Sequence, residues 1–249
     1  MRKKVIGLIP SRLSSTRLPQ KPLIKINNIP LIIHTYRRAK LAKKLDDLII
    51  CCDDKIIFDL ATKYKAKAIL TSKKHKNGTE RILEGYTKQK KQYDLVIDIQ
   101  GDEPLLNPKH IDEVINFHKK NFKTDIILPT LNIKNAENTN IVKVITDIKD
   151  NVIFLSRTKL PTEFKKKNNS YKKHLSIISF KPEALKKFSK SKKTPLESSE
   201  DIELLRAIEI GLKIKTVNLK GDSFSIDVLE DFKKAINQFK KDQIIKHYK

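Results

Sequence analysis

Long apolar runs are what this sequence most lacks. The 249 residues are 39% hydrophobic, enough to bury the core of one large α/β domain. Yet no run approaches the roughly 20 apolar residues that a bilayer-crossing helix needs. The opening "MRKKVIGLIPSR" places positive charge before an apolar stretch of only residues 5–10, too short for a secretory signal. Cysteine is scarce as well. Cys51 and Cys52 stand side by side in an apolar segment, where neighbours on a strand point to opposite sides and a mutual disulfide is not expected. They read as reduced core thiols of a cytosolic protein. Glycine is missing from the loop that follows the first apolar run. That absence excludes a Walker A phosphate loop. It also excludes the Gly-rich turn of a dinucleotide-binding sheet, and with it a dehydrogenase.

Negative charge is in short supply against 45 lysines and 8 arginines, for a formal net charge of +24. The lysines are spread over nearly every expected helix face instead of forming one stripe, so nucleic acid is not expected as the main partner. The excess still favours encounter with small anions.

What is present is a rhythm. Strand candidates "KKVIGLIP", "LDDLIICC", "AKAILT", "YDLVIDIQ" and "DIILPTL" alternate with amphipathic stretches "PLIIHTYRRAKLA", "DDKIIFDLATKYK", "NGTERILEGYTKQK" and "PKHIDEVINFHKKN". That order predicts an α/β fold with a doubly wound, mostly parallel sheet whose ligands lie at the carboxyl ends of the strands. After about residue 125 the pattern changes. "IVKVITDIKDNVIFLSR" predicts a hairpin turning around residues 149–151, and "KKHLSIISFKPEAL" one strand entering a helix at Pro182. "TEFKKKNNSYKK" reads as an exposed mobile loop, and "TPLESSEDIELLRAIEIG" as one helix with an acidic first turn and Gly211 as its stop. "KIKTVNL" is a last strand, followed by a loop and a closing helix in "GDSFSIDVLEDFKKAINQF".

Chemistry concentrates where strands end. "PSRLSSTRLPQK" carries Arg12, Ser14, Ser15, Thr16, Arg17 and Lys21 at the carboxyl edge of the first strand. Guanidinium forks, hydroxyls and a lysine there suit phosphate oxygens and a leaving pyrophosphate, although a solvated basic loop has the same composition. "LVIDIQGDEPLL" presents Gln100, Asp102 and Glu103 at the same edge. Magnesium asks for such hard oxygen ligands opposite phosphate, and a plain Gly-Asp turn is the alternative. Asp227 in "FSIDVLED" is either a second metal carboxylate or a helix N-cap. In "HKNGTERI", Asn77 or Thr79 caps a helix whose N-terminus can bind an anion.

Taken together, "IPSRLSSTRLPQKPL", "HKNGTER", "QGDEPLL", "VKVI", "FLSRTKLP", "KHLSI", "TPLE" and "IDVLED" resemble, in order and spacing, the 3-deoxy-manno-octulosonate (Kdo) cytidylyltransferases, from about residue 4 to residue 236. The resemblance implies a nucleotide-diphospho-sugar transferase type of fold, one domain over residues 1–249 with a dimerisation and sugar-side insertion at about 130–190. It implies a cytoplasmic homodimer that uses Mg2+ and small-molecule substrates, CTP and an acidic sugar, with no membrane partner. Carried over by position, Arg12 and Lys21 are triphosphate ligands, and Asp102 and Asp227 hold the metal; these four form the catalytic set. Pro10, Ser14, Ser15, Thr79 and Arg81 join Arg12, Lys21 and Asp102 around CTP, while Gln100, Arg157, His174 and Glu203 contact the sugar.

This chain departs from the family pattern at several positions. Gln20 stands where "LPGKPL" has glycine. Lys76 adds a cation in "HKNGT", Ile178 replaces a tyrosine and Leu204 an amide, and "VDTPEDL" has become "IDVLEDF". The changes at Ile178 and Leu204 suggest a sugar site with fewer polar contacts, and so an 8-amino analogue of Kdo or another ulosonic acid as the alternative substrate. A non-catalytic anion-binding protein is the remote alternative. It is disfavoured because two carboxylates facing each other would repel without a metal.

Overall fold

Every residue of the first apolar run is buried. VIGLIPS forms strand β1 (Val5–Ser11), closed off on both faces as a central parallel strand must be. In the computed structural model, which describes residues 2–15, 17–165, 167–168, 170–222 and 224–248, the chain forms two compact units. One comprises Met1–Asp112 with Ser223–Lys249, the other Glu113–Asp222. The expected insertion at about residues 130–190 falls inside the second unit.

In the first unit a small antiparallel pair, β2 (Lys25–Ile26) and β3 (Ile29–Pro30), precedes helix α1 (Leu31–Ala39). Strands β4 (Asp47–Cys52), β5 (Ala68–Leu70) and β6 (Leu95–Ile99) join β1 in the order β5-β4-β1-β6, all parallel. Between them run α2 (Lys55–Lys63) and α3 (Gly78–Thr87). Each starts at a capping side chain: Asp54 accepts from the Ile56 amide, and Asn77, not Thr79, accepts from the Glu80 amide. Helix α4 (Pro108–Lys120) follows β6, and α8 (Leu229–Lys241) closes the unit. Cys51 and Cys52 are free, buried thiols. Burial pushes both up, Cys52 to about 11, as expected of inert core groups.

In the second unit β7 (Ile126–Ile133) is the central strand. Strand β12 (Ile214–Leu219) runs parallel along residues 126–131 of it. The hairpin β8 (Lys143–Thr146) and β9 (Val152–Ser156) turns where expected, with Asp147 accepting from the amides of Lys149 and Asn151. Two expectations are corrected. "KKHLSIISF" is two strands on β7, β10 (Tyr171–His174) and β11 (Ile177–Phe180), because the register slips by two residues between the pairs His174↔Thr130 and Ser179↔Ile127. Buried Leu175 fills the break and donates to the Pro129 carbonyl, a bulge that re-aims the strand. Tyr171, read as loop, is therefore strand. The second correction concerns "TPLESSEDIELLRAIE", which forms two helices, α6 (Pro195–Glu200) and α7 (Glu203–Glu209) after α5 (Pro182–Lys190). Asp201 between them adopts left-handed φ 52°, which ends α6. Among the described residues no helix is long and apolar enough to cross a membrane.

A buried histidine ties the end of the first unit down. His34, fully buried on α1, donates from Nε2 to the Ile26 carbonyl (2.8 Å), so its Nδ1 accepts from the Tyr248 hydroxyl (3.0 Å). Burial lowers its pKa to about 4, and the neighbouring Arg38 and Arg37 push the same way. The fold therefore requires the neutral ring. That contribution is fully present above about pH 6.5 and is lost as pH falls towards 4, amounting to about 3 kcal/mol. Urea titrations at pH 7 and pH 4 should show this loss in the wild type and a shallower one in His34→Gln. Equal slopes would remove His34 as the cause.

Candidate functional site

Because β1 and β6 are parallel neighbours, the opening loop and QGDEP leave the sheet at the same edge of the first unit. Gly101 makes this possible: a Cβ there would lie 2.8 Å from the Pro10 carbonyl oxygen, so only glycine allows the two backbones so close. Gly78, opening α3, packs against the Pro10 ring, and a Cβ on it would come within 3.7 Å of Gln100 Nε2. Pro10, the GTER segment and Gln100 thus converge.

A third segment arrives from near the C-terminus. The Ile226 amide donates to the Asp102 carbonyl (3.0 Å). Ile226 is buried in a cluster with Leu18, Ile26, Leu31, Ala235 and Phe239, which anchors the opening loop and Asp227 together. At the junction lies Lys21. Its Nζ donates to Asp102 Oδ2 (2.8 Å), to the Ile226 carbonyl (2.8 Å) and to Asp227 Oδ1 (3.3 Å). Arg17 adds a more exposed bond to Asp227 Oδ1 at 2.9 Å. The expectation that these carboxylates would repel without a metal is thereby corrected, since the Lys21 ammonium lies between them.

Asp227 is not a helix cap. The Asp231 carboxylate accepts from the amides of Asp227 and Val228 (3.1 and 3.2 Å), leaving the Asp227 side chain to face Lys21. Sequence reading missed Asp231, although an acidic residue three positions into a helix is a recognisable capping signal. Gln20, in the place of the family's glycine, takes the left-handed conformation itself (φ 50°). The bend ahead of Lys21 is therefore kept, at a cost of about 1–2 kcal/mol for a residue with a Cβ. Arg12 and Ser14 are exposed and Ser15 half-buried. A cavity of about 390 Å3 opens beside them, lined by Ser14, Ser15, Gln20, Asp53, Asp54 and Lys73 among others. Thr16 lies outside the described residues.

Thr79 is buried at the start of α3. Arg81 is buried too: its Nη1 donates to Thr71 Oγ1 and the Ser72 carbonyl, and its Nη2 faces Asp53 at 3.4 Å. It lies beneath the opening loop. Gln100 donates from Nε2 to the carboxylate of buried Asp98 (3.0 and 3.1 Å), so its Oε1 is the end left to accept.

The remaining sugar-contact candidates belong to the second unit. Arg157, half-buried at the end of β9, spends its guanidinium on three carbonyls, those of Glu200 (2.8 Å), Asp201 (3.0 Å) and Thr139 (3.4 Å). It closes the C-terminal end of α6, which is why the helix break at Asp201 matters. Its own carbonyl accepts from fully buried Lys143, whose Nζ also serves the Asn138 and Ile141 carbonyls (2.9 Å each). His174, ending β10, has its Nε2 closed off from solvent without a partner. Burial, with Lys173 beside it, lowers its pKa to about 4, so the ring is neutral near pH 7. Glu203 is the first residue of α7. Ile178 and Leu204, read as lost polar contacts, are buried, with 8% and 5% exposure; their apolar character suits the core.

Asp102 and Asp227 are the side chains that could hold a metal. Among the described residues no group of three or more His, Cys, Asp or Glu is arranged for one. Two carboxylates fit a hard cation such as Mg2+, which takes its other ligands from water and phosphate oxygens.

The profile of a family described as cytidylyltransferase matches residues 6–214. The 3-deoxy-manno-octulosonate cytidylyltransferase of Fusobacterium nucleatum is 39% identical over 97% of this chain and 99% of its own length. The chain belongs to the 3-deoxy-manno-octulosonate cytidylyltransferase family. Another family member, from Leptospira interrogans, is 36% identical over 97% of this chain and 98% of its own. Among solved structures, one described as CMP:2-keto-3-deoxy-manno-octonic acid synthetase complexed with CTP matches with a TM-score of 0.91. It is 26% identical and covers 96% of this chain and 99% of that one. A cytidylyltransferase structure from Leptospira borgpetersenii shares the fold (TM-score 0.67) at 16% identity, over 97% and 88% of the two chains. The nucleotidyltransferase fold expected from the family's motifs is thus present.

Removing the Asp231 cap tests how Asp227 is held. Asp231→Ala should cost about 1 kcal/mol, a fall of about 2–4 °C in Tm for a chain of this size. Thermal unfolding with an unchanged midpoint would show that Asp231 does not organise this segment.

Proposed function

We propose that this protein transfers CMP from CTP to the anomeric hydroxyl of Kdo, giving CMP-Kdo and pyrophosphate. The observation that carries this reading is near-full-length similarity to 3-deoxy-manno-octulosonate cytidylyltransferases, in a chain whose Lys21, Asp102 and Asp227 converge at one sheet edge. The roles follow from position and chemistry. Arg12, exposed on the opening loop, and Lys21 take the triphosphate, with Pro10, Ser14, Ser15 and Thr79 around the nucleotide. The hydroxyl attacks the α-phosphorus in line and releases its proton to water, the bond from the α-phosphorus to the bridging oxygen breaks, and charge growing on pyrophosphate is met by Arg12 and Lys21. The long stem of Lys21 lets Nζ pass from the carboxylates to a phosphate oxygen. Asp102 and Asp227 would hold Mg2+, which would neutralise phosphate charge and lower the pKa of the attacking hydroxyl.

Gln100, through Oε1, is the sugar-side group of the first unit; Arg157, His174 and Glu203 are the sugar-side candidates of the second. The Arg157 guanidinium donates to carbonyls, and its charge suits the sugar carboxylate. His174, being neutral, reads a hydroxyl. Since Ile178 and Leu204 are buried in the core, their apolar character gives no reason to prefer an amino sugar. The protein works in the cytoplasm, in keeping with its free buried thiols. It works as a homodimer, using the exposed apolar residues Ile148, Ile153 and Phe164 of the second unit.

Pyrophosphate release should be measured with CTP, Mg2+ and a panel of ulosonic acids. Turnover is expected with Kdo, falling at least 100-fold in Asp102→Asn and in Lys21→Ala. Failure of every acid to release pyrophosphate would leave an anion-binding protein instead, and near-normal turnover of Asp102→Asn would remove the metal assignment. Sedimentation gives the partner. Ile153→Lys with Phe164→Lys should turn a dimer into a monomer, and an unchanged coefficient would place the contact elsewhere.

A further inference from the structure

Asp53 is the first residue beyond β4, and the register of β4 with β1, Ser11↔Cys52, sets it beside the start of the opening loop. Its two carboxylate oxygens do different things. Oδ1 accepts from the Leu13 backbone amide at 3.0 Å, between Arg12 and Ser14, while Oδ2 faces the Arg81 guanidinium at 3.4 Å. The pair is nearly sealed from solvent, with side-chain exposures of 9% for Asp53 and 4% for Arg81. Arg81 is in turn fixed by Thr71 and Ser72, and the Thr71 hydroxyl donates to the Cys52 carbonyl at 3.0 Å. The chain of contacts therefore runs from the end of β5 through α3 to the loop, and ends on a main-chain donor inside the segment that carries the exposed cation and hydroxyls.

We propose that Asp53 is a positioning residue for the nucleotide: it holds the Leu13 amide, and with it the Arg12–Ser14 backbone, in the shape that receives the triphosphate before CTP arrives. Arg81 supports this by holding Asp53 and not by contact with the nucleotide. The physical case is pre-organisation. A loop of polar side chains with no glycine samples many shapes, and ordering each residue costs about 1–2 kcal/mol of backbone entropy. A buried carboxylate on a loop amide meets that cost during folding, so nucleotide binding does not have to. An aspartate is suited to the task because one oxygen can face the buried guanidinium while the other stays on the amide. The proposal rests on the cytidylyltransferase reading of the loop.

The test compares Asp53→Asn, which keeps an oxygen for the Leu13 amide, with Asp53→Leu, which keeps the bulk and removes the acceptor. With folding checked by Tm, Asp53→Leu should raise KM for CTP at least 10-fold while KM for the sugar and kcat stay within about 2-fold. Asp53→Asn should recover most of that loss. A folded Asp53→Leu with unchanged KM for CTP, or with both KM values rising together, overturns the proposal. Hydrogen exchange on the wild type needs no variant. The Leu13 amide should be protected at least 10-fold over an unstructured chain in nucleotide-free protein and change less than 3-fold when CTP is added. Exchange at the unstructured rate overturns the proposal even if Asp53→Leu does not fold. If calorimetry finds no CTP binding to the wild type, the cytidylyltransferase reading fails and this proposal with it. CTP binding with an indifferent Asp53 sinks the proposal alone.

Discussion

One ammonium group holds the candidate site of the first unit together. Lys21 Nζ meets Asp102 across 81 residues of sequence and Asp227 across 206, so segments from both ends of the chain are brought to one charge. Two carboxylates at one sheet edge repel unless a cation lies between them, and the local structure is arranged to supply it. Gln20 turns the chain in a left-handed conformation just ahead of Lys21, Gly101 lets the QGDEP backbone press against Pro10, and Asp231 takes the amides that would otherwise compete for Asp227. The apolar cluster around Leu18 and Ile226 then fixes loop and carboxylate on one base.

The second unit uses buried charge differently. Lys143 has no exposed surface and donates hydrogen bonds to three carbonyls, one of them that of Arg157, whose guanidinium closes the end of α6. Glu200 completes the arrangement by accepting from the Ser156 hydroxyl and the Arg157 amide. Polar groups sealed from water must be paired or they destabilise the fold, and here the pairing ties the β9 end to the helix break at Asp201. Among the 53 basic residues, Lys143, Arg38, Arg81 and Arg206 are buried and paired, whereas many lysines lie exposed. Composition could not tell the two kinds apart.

How much was legible depended on whether the signal was local. Strands β1, β4 and β6 were plain because a run buried on both faces is nearly continuous in apolar residues. Helix starts at Asp54 and Asn77 follow from short polar side chains bonding to amides two or three residues on. The splitting of "KKHLSIISF" was not legible, because a two-residue slip against β7 depends on what lies across the strand. Nor was the break at Asp201: left-handed geometry at an aspartate has weak local preference and is held by Arg157 from elsewhere in the unit.

By itself the sequence determined the α/β rhythm, the reduced cysteines, and a family resemblance strong enough to locate Arg12, Lys21, Asp102 and Asp227. All of these rest on residue type, spacing and period, which a chain carries before it folds. Only the tertiary structure decided what each charged group does. It placed Lys21 between the two aspartates, freed Asp227 from capping duty, sank Arg81 beneath the loop onto Asp53, and turned Arg157 towards carbonyls. Those outcomes depend on distances between residues far apart in sequence, and a hydrogen bond or ion pair exists only once folding has set the distance.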